Sequence, residues 1–122
     1  MITLDRRPDI NKSWQAEVTY DWQKAKYDET FTFRGDGEEI YGTASFLGTK
    51  KSIIEGTIKK DKLMFITKTP EILGSEEPKM SIHRYRGKYS GDQVKFIMQT
   101  EGGYSEHEPI EFTAEIMPGN EN

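Results

Sequence analysis

The sequence predicts an all-β protein, an up-and-down antiparallel meander of about eight strands closing into a β-barrel, on three observations. Apolar residues recur at every second position in short runs, the period of a half-buried strand. Turn-forming residues separate those runs at intervals of about 8 to 15 residues, as in an up-and-down sheet. No stretch holds a 3.6-residue apolar stripe, so no substantial helix is expected.

Trp14, Ala16, Val18, Tyr20 and Trp22 alternate with Gln15, Glu17, Thr19 and Asp21 and make the first strand. Gln23 to Lys26 is a link of hairpin length, and the alternation resumes in Tyr27, Glu29, Phe31 and Phe33. Arg34-Gly35-Asp36-Gly37 supplies residues that tolerate positive φ, which reverses the chain into a third strand. That strand carries Ile40, Ala44 and Phe46 on one face, with Gly42 on the same face marking a bend. A fourth strand is expected from about Ser52 to Ile58, but adjacent Ile53 and Ile54 point to opposite faces and leave its register open. After the Lys59-Lys60-Asp61-Lys62 turn, Leu63, Phe65 and Thr67 share one face of a fifth strand ending near Thr69. Pro70 to Lys79 is the longest break. Met80 to Tyr89, whose register is also open, Val94-Phe96-Met98 and Ile110-Phe112-Ala114-Ile116 give the last three strands. Between the last two lies a second long loop, Glu101 to Pro109, and the final strand ends before Pro118-Gly119. Closure of the meander would remove the exposed edges that make open sheets aggregate.

A chain of 122 residues is the size of one ordinary domain, with residues 1–12 expected as an irregular lead and 13–117 as the barrel. Leu, Ile, Val and Phe supply only 24 residues, close to the level at which chains stay unfolded. The core therefore falls to aromatics, and the inward set is Trp14, Tyr20, Trp22, Phe31, Phe33, Phe46, Phe65, Tyr85 and Phe96. So many large side chains predict a filled barrel in preference to an open container. Absence of cysteine excludes disulfides, thiolate nucleophiles and Cys-bearing zinc sites. No signal-peptide core or membrane-length apolar run is present, so a soluble, cytoplasmic chain without a membrane partner is expected. A pI near 5.3 without a basic stripe argues against nucleic acid.

Several pieces of the sequence carry a family resemblance: Lys12-Ser13-Trp14-Gln15-Ala16-Glu17, Phe31-Thr32-Phe33, Tyr41-Gly42-Thr43, the Tyr85 to Asp92 strand and turn, and Glu111-Phe112-Thr113-Ala114. Together they resemble the lipocalin-like (calycin) barrels, in which a Trp near the start of the first strand plugs one end. They look closer still to a bacterial and archaeal family of small lipocalin-like β domains. The resemblance spans about Ser13 to Pro118 and implies the barrel but no activity. Four departures remove the ligands of better known relatives. Lys12 stands where the lipocalin pattern has Gly, and Glu115-Ile116-Met117 offers no cation to pack on the Trp. Gln23 to Lys26 cannot hold the helix pair of intracellular fatty-acid binders. Arg84 and Tyr85 are adjacent and so cannot form their one-faced Arg-x-Tyr clamp.

The polar equipment is small. If Tyr85 and Tyr89 face inward, His83 does too, giving a polar cluster able to orient a ligand. Glu101, Glu106, His107 and Glu108 diverge along an extended loop and do not make the three or more convergent ligands of a metal site. Arg84, Arg86 and Lys88 share the other face of the sixth strand, where a solvated charged surface is the ordinary outcome. The residues expected at a ligand site are His83, Tyr85, Arg84, Tyr104 and His107, with no catalytic set, metal or cofactor. The expected function is a non-enzymatic binding or interaction domain for a small molecule or a protein partner. An enzyme or enzyme accessory acting on a small or sugar-like substrate, and a structural domain pairing with another chain, are the alternatives; the oligomeric state stays open.

Overall fold

A computed structural model describes residues 11–20, 25–72, 74–104 and 106–117. Among these described residues nine strands follow one another: β1 (Ser13–Thr19), β2 (Lys26–Asp36), β3 (Glu39–Phe46), β4 (Thr49–Ser52), β5 (Ile54–Lys59), β6 (Lys62–Glu71), β7 (Lys79–Ser90), β8 (Gln93–Gly102) and β9 (Ile110–Ile116). All pairings are antiparallel, and β1 joins β9 at one seam while β2 joins β3 at another. Eight strands thereby close a barrel, and β4 lies outside it against the end of β3. The expected all-β meander is the observed fold, and no helix occurs among the described residues. Trp22 and the link residues 23–24 lie outside the described set, as do most of the expected irregular lead and the Pro118-Gly119 stop.

The strand expected from Ser52 to Ile58 is two strands. Phe46 pairs with Thr49 across Leu47 and Gly48, both at positive φ (52° and 80°), which is the two-residue hairpin turn that matches strand twist. The chain breaks at Ile53, whose N–H donates to the Gly42 carbonyl at 3.0 Å. A bulge between Ile54 and Thr57, with Glu55 at φ 55°, then aims β5 at β6. The adjacent isoleucines are resolved by that break: Ile53 packs on the core, and Ile54 is turned outward. Two strands also run further than expected, β6 through Pro70 to Glu71 and β8 through Glu101 to Gly102. Pro70 is accommodated opposite Met80 near the end of its pairing, where loss of one donor costs little.

Inside, aromatic rings stack in layers. Phe31 lies 5.4 Å from Phe96 and 5.8 Å from Phe112, and Phe65 lies 4.5 Å from Tyr85, all nearly parallel. Trp14 is fully buried at the end where β1 begins, with Tyr89 edge-on at 5.9 Å. Burial of each such ring contributes about 1.5–3 kcal/mol, which explains how few aliphatic residues suffice.

Gly42 sets the bend of β3. Its φ is 135°, and a Cβ there would stand 1.9 Å from the Thr32 carbonyl oxygen. Gly37, at φ 66° in the β2–β3 turn, has open space around it. Gly42→Ala is expected to lower stability by about 3 kcal/mol or more, against about 1–2 kcal/mol for Gly37→Ala. Chemical denaturation of both variants measures this, and equal losses would contradict the bend.

Candidate functional site

The barrel end opposite Trp14 is built differently from the aromatic half. Here the inward positions of β6, β7 and β8 are Thr67, Thr69, Glu71, Ser81, His83 and Thr100. Registers Thr67↔His83, Thr69↔Ser81 and His83↔Thr100 set these side chains beside one another on three neighbouring strands. A cleft of about 300 Å³ opens above them, walled by Phe46, Leu47 and Pro70, with His107 at its rim.

His83 forms the floor. It is 2 % exposed, and the Phe46 ring covers one face, 3.9 Å between centroids and 27° from parallel. Nδ1 lies 2.9 Å from the Thr100 hydroxyl and Nε2 3.1 Å from that of Thr69. Burial, reinforced by the charges of His107 and Lys51, lowers its pKa to about 4, so the imidazole is neutral at neutral pH. A neutral ring has one N–H and one bare nitrogen. One threonine therefore donates to His83 and the other accepts from it. In either tautomer, the accepting threonine keeps its own hydroxyl proton available to the cleft.

The wall is held by a buried carboxylate. Glu29 is wholly buried on β2, facing inward one step before Phe31. Its Oε1 accepts from the Ser45 hydroxyl at 2.6 Å and the Gly48 N–H at 3.0 Å. Its Oε2 accepts from the Leu47 N–H at 2.6 Å and from the Tyr20 hydroxyl. Ser45 in turn accepts from the Thr30 N–H at 2.8 Å. Burial and then the Glu29 carboxylate push the Tyr20 phenol well above its ordinary range, so it remains a donor. Consecutive N–H groups at positive φ converge on an anion in this way, and the anion here is the chain's own side chain.

At the rim, the Glu71 carboxylate accepts from the Ser81 hydroxyl at 3.1 Å and from the Tyr104 N–H at 3.1 Å. The Tyr104 hydroxyl donates to the Glu77 carbonyl, and the Lys79 ammonium sits 4.6 Å above the Tyr104 ring. The two long loops are thus clasped to each other.

Of the residues singled out from sequence, His83 and His107 line the cleft. Tyr85 lies one inward step deeper, between Phe65 and Phe96, where burial raises its phenol pKa. Arg84 is on the outer face of β7, paired with Glu101 at 2.7 Å, because neighbours on a strand point oppositely. Tyr104 fastens the loops. Sequence reading did not select Phe46, Thr69, Glu71, Ser81 or Thr100 as site residues, nor Glu29 as their support. Glu29 did carry a signal, a carboxylate in phase with Phe31 and Phe33.

No protein-family model, curated protein or solved structure matches this chain. Among the described residues, no three His, Asp or Glu side chains converge as metal ligands would, and no helix is long and apolar enough to cross a membrane.

Two outcomes follow from this site. Glu29→Gln turns an amide NH₂ toward two donors that need an acceptor, and a loss of about 3 kcal/mol is expected on denaturation; a neutral result would remove Glu29 as the support. For His83, the folded pKa of about 4 lies below the ordinary 6.5. The unfolded chain therefore takes up a proton that the folded chain refuses as pH falls from 6.5 to 4. Its stabilising share is full above pH 6.5, drains through that window and amounts to about 3 kcal/mol. The stability difference between the wild type and His83→Gln should shrink by that amount between neutral pH and pH 4. A flat difference would mean that His83 does not titrate as its surroundings dictate.

Proposed function

We propose that the chain is a lipocalin-like binding barrel whose cleft above His83 takes a small, uncharged molecule bearing a carbonyl or ether oxygen. The observation that supports this reading is the neutral His83 between Thr69 and Thr100, two residues that line a cleft walled by Phe46, Leu47 and Pro70, with one of the two hydroxyl protons not spent on the imidazole. An apolar wall with a few fixed polar groups is the usual make-up of a small-molecule site, and about 300 Å³ is at the small end of the range. Neutrality follows from the surroundings. Glu71 in the lining opposes an anion, while the charge of Lys51, which acts on His83, opposes a cation. Resemblance of the Trp14 segment to the calycin barrels supports the family reading, and the fully buried Trp14 at the far end accords with it.

Binding is favoured over catalysis by the condition of the imidazole. Both ring nitrogens are already engaged, and a pKa of about 4 leaves a poor base at neutral pH. Ser81 bonds to Glu71 and not to His83, so it has no imidazole to activate it.

The test is an NMR titration with cyclohexanone and δ-valerolactam as carbonyl probes and cyclohexane as the apolar control. Amide shifts are expected at Phe46, Thr69, His83 and Thr100, stronger for the carbonyl probes. One of Thr69→Val and Thr100→Val, made singly, should weaken binding about five- to tenfold, the worth of one hydrogen bond. Equal affinity for all three probes, or no cleft shifts, would sink the reading.

A further inference from the structure

The outer face of the barrel carries a second surface that the cleft does not explain. Across β6, β7, β8 and β9 the registers Lys62↔Lys88, Lys88↔Lys95 and Lys95↔Thr113 form one row, and Met64↔Arg86, Arg86↔Ile97 and Ile97↔Glu111 form the next. Neighbouring strands lie about 4.8 Å apart, so three lysines stand in line over about 10 Å. Like charges directly opposite each other destabilise a sheet. No carboxylate among the described residues pairs with Lys62, Arg86, Lys88 or Lys95; the nearby ion pair is Arg84 with Glu101. This happens in a chain whose net charge is -4. Beside the lysines, Met64 and Ile97 are 48 % and 45 % exposed, and the two rows line a groove of about 550 Å³.

We propose that this groove docks an acidic polypeptide segment, its carboxylates on the Lys62–Lys88–Lys95 row and its aliphatic side chains against Met64 and Ile97. Charge complementarity selects an anionic partner, and the apolar row selects one that also carries aliphatic groups. The concave shape suits side chains better than the plane of a bilayer. No aromatic side chain is exposed in the groove to stack a base, which disfavours single-stranded nucleic acid. The row is not there to hold the barrel together, since it opposes pairing of the strands that carry it.

Fluorescence anisotropy with a labelled peptide of alternating Glu and Leu tests the proposal, alongside its Gln–Leu counterpart, phosphatidylserine vesicles and a short DNA duplex. The Glu–Leu peptide should bind and weaken several-fold between about 50 and about 300 mM salt. Triple replacement Lys62→Glu, Lys88→Glu, Lys95→Glu should cost at least about tenfold, and Met64→Ser with Ile97→Ser about fivefold. The single variant Lys88→Glu should lose affinity while its thermal midpoint rises by a few degrees, because it turns two repulsions into attractions. Equal binding of the Gln–Leu peptide, indifference to the lysine replacements, or binding of vesicles or duplex with none of the peptide would overturn the proposal. A fall in the Lys88→Glu midpoint would also overturn it, by making the row structural.

Discussion

A carboxylate removed from water must find donors for all its lone pairs, and Glu29 finds them in the turn that would otherwise be hardest to form. Leu47 sits at φ 52°, a conformation that costs a branched-chain L-residue about 1–2 kcal/mol. Charge-assisted bonds from Leu47 and Gly48 to Glu29 offset that strain, and the strain aims both N–H groups at one anion. With the turn fixed, Phe46 is delivered onto the His83 ring. With Phe46 in place, His83 is desolvated enough to be neutral. Cleft wall, floor and protonation state thus trace back to one buried acid on β2, reached from β1 by Tyr20 and from β3 by Ser45.

The barrel interior is consequently divided along its axis. Toward Trp14 the rings of Phe31, Phe33, Phe65, Tyr85, Phe96 and Phe112 pack against one another. Toward the loops the inward residues are short and polar, and they cannot collapse inward without breaking hydrogen bonds to one another. Threonine and serine at these positions have the volume of small aliphatic residues but are held apart by direction-specific bonds. An eight-stranded barrel is narrow enough to be filled by its own side chains. This one carries packed rings toward Trp14 and a cleft of about 300 Å³ toward the loops.

Strand period made most of this legible. The strands holding Trp14, Phe31, Phe65, Phe96 and Phe112 read directly, because on a half-buried strand the residue type and the face agree. The hairpin at Leu47-Gly48 did not read, for two physical reasons. Leu is a poor residue for positive φ, and Thr49 to Ser52 lies outside the barrel with no apolar face to betray it. The site was harder still. His83 could be placed inward from its phase with Tyr85, but its partners Thr69 and Thr100 come from strands 14 and 17 residues away, and nothing local in either threonine marks it as a histidine partner. Support from Glu29 depends on a turn whose conformation is itself induced by the bond.

Both candidate surfaces are carried by β7, and the strand's period is what keeps them apart. Ser81, His83, Tyr85 and Tyr89 point inward, and Arg84, Arg86 and Lys88 outward. A slip of one residue would bury three cations and expose the histidine, so the register must be held firmly. Gly87 contributes to that hold. A Cβ on it would lie 2.7 Å from the Phe96 ring and 2.9 Å from Val94, so this inward position admits only a residue without a side chain. The missing side chain lets Phe96 lean across β7, bringing its ring to within 6.0 Å of Phe65. No other inward residue of β7 could occupy that place, and a slipped register would drive Arg86 or Lys88 against Phe96. The aromatic packing that fills one end of the barrel therefore also fixes which face of β7 meets the cleft and which meets solvent.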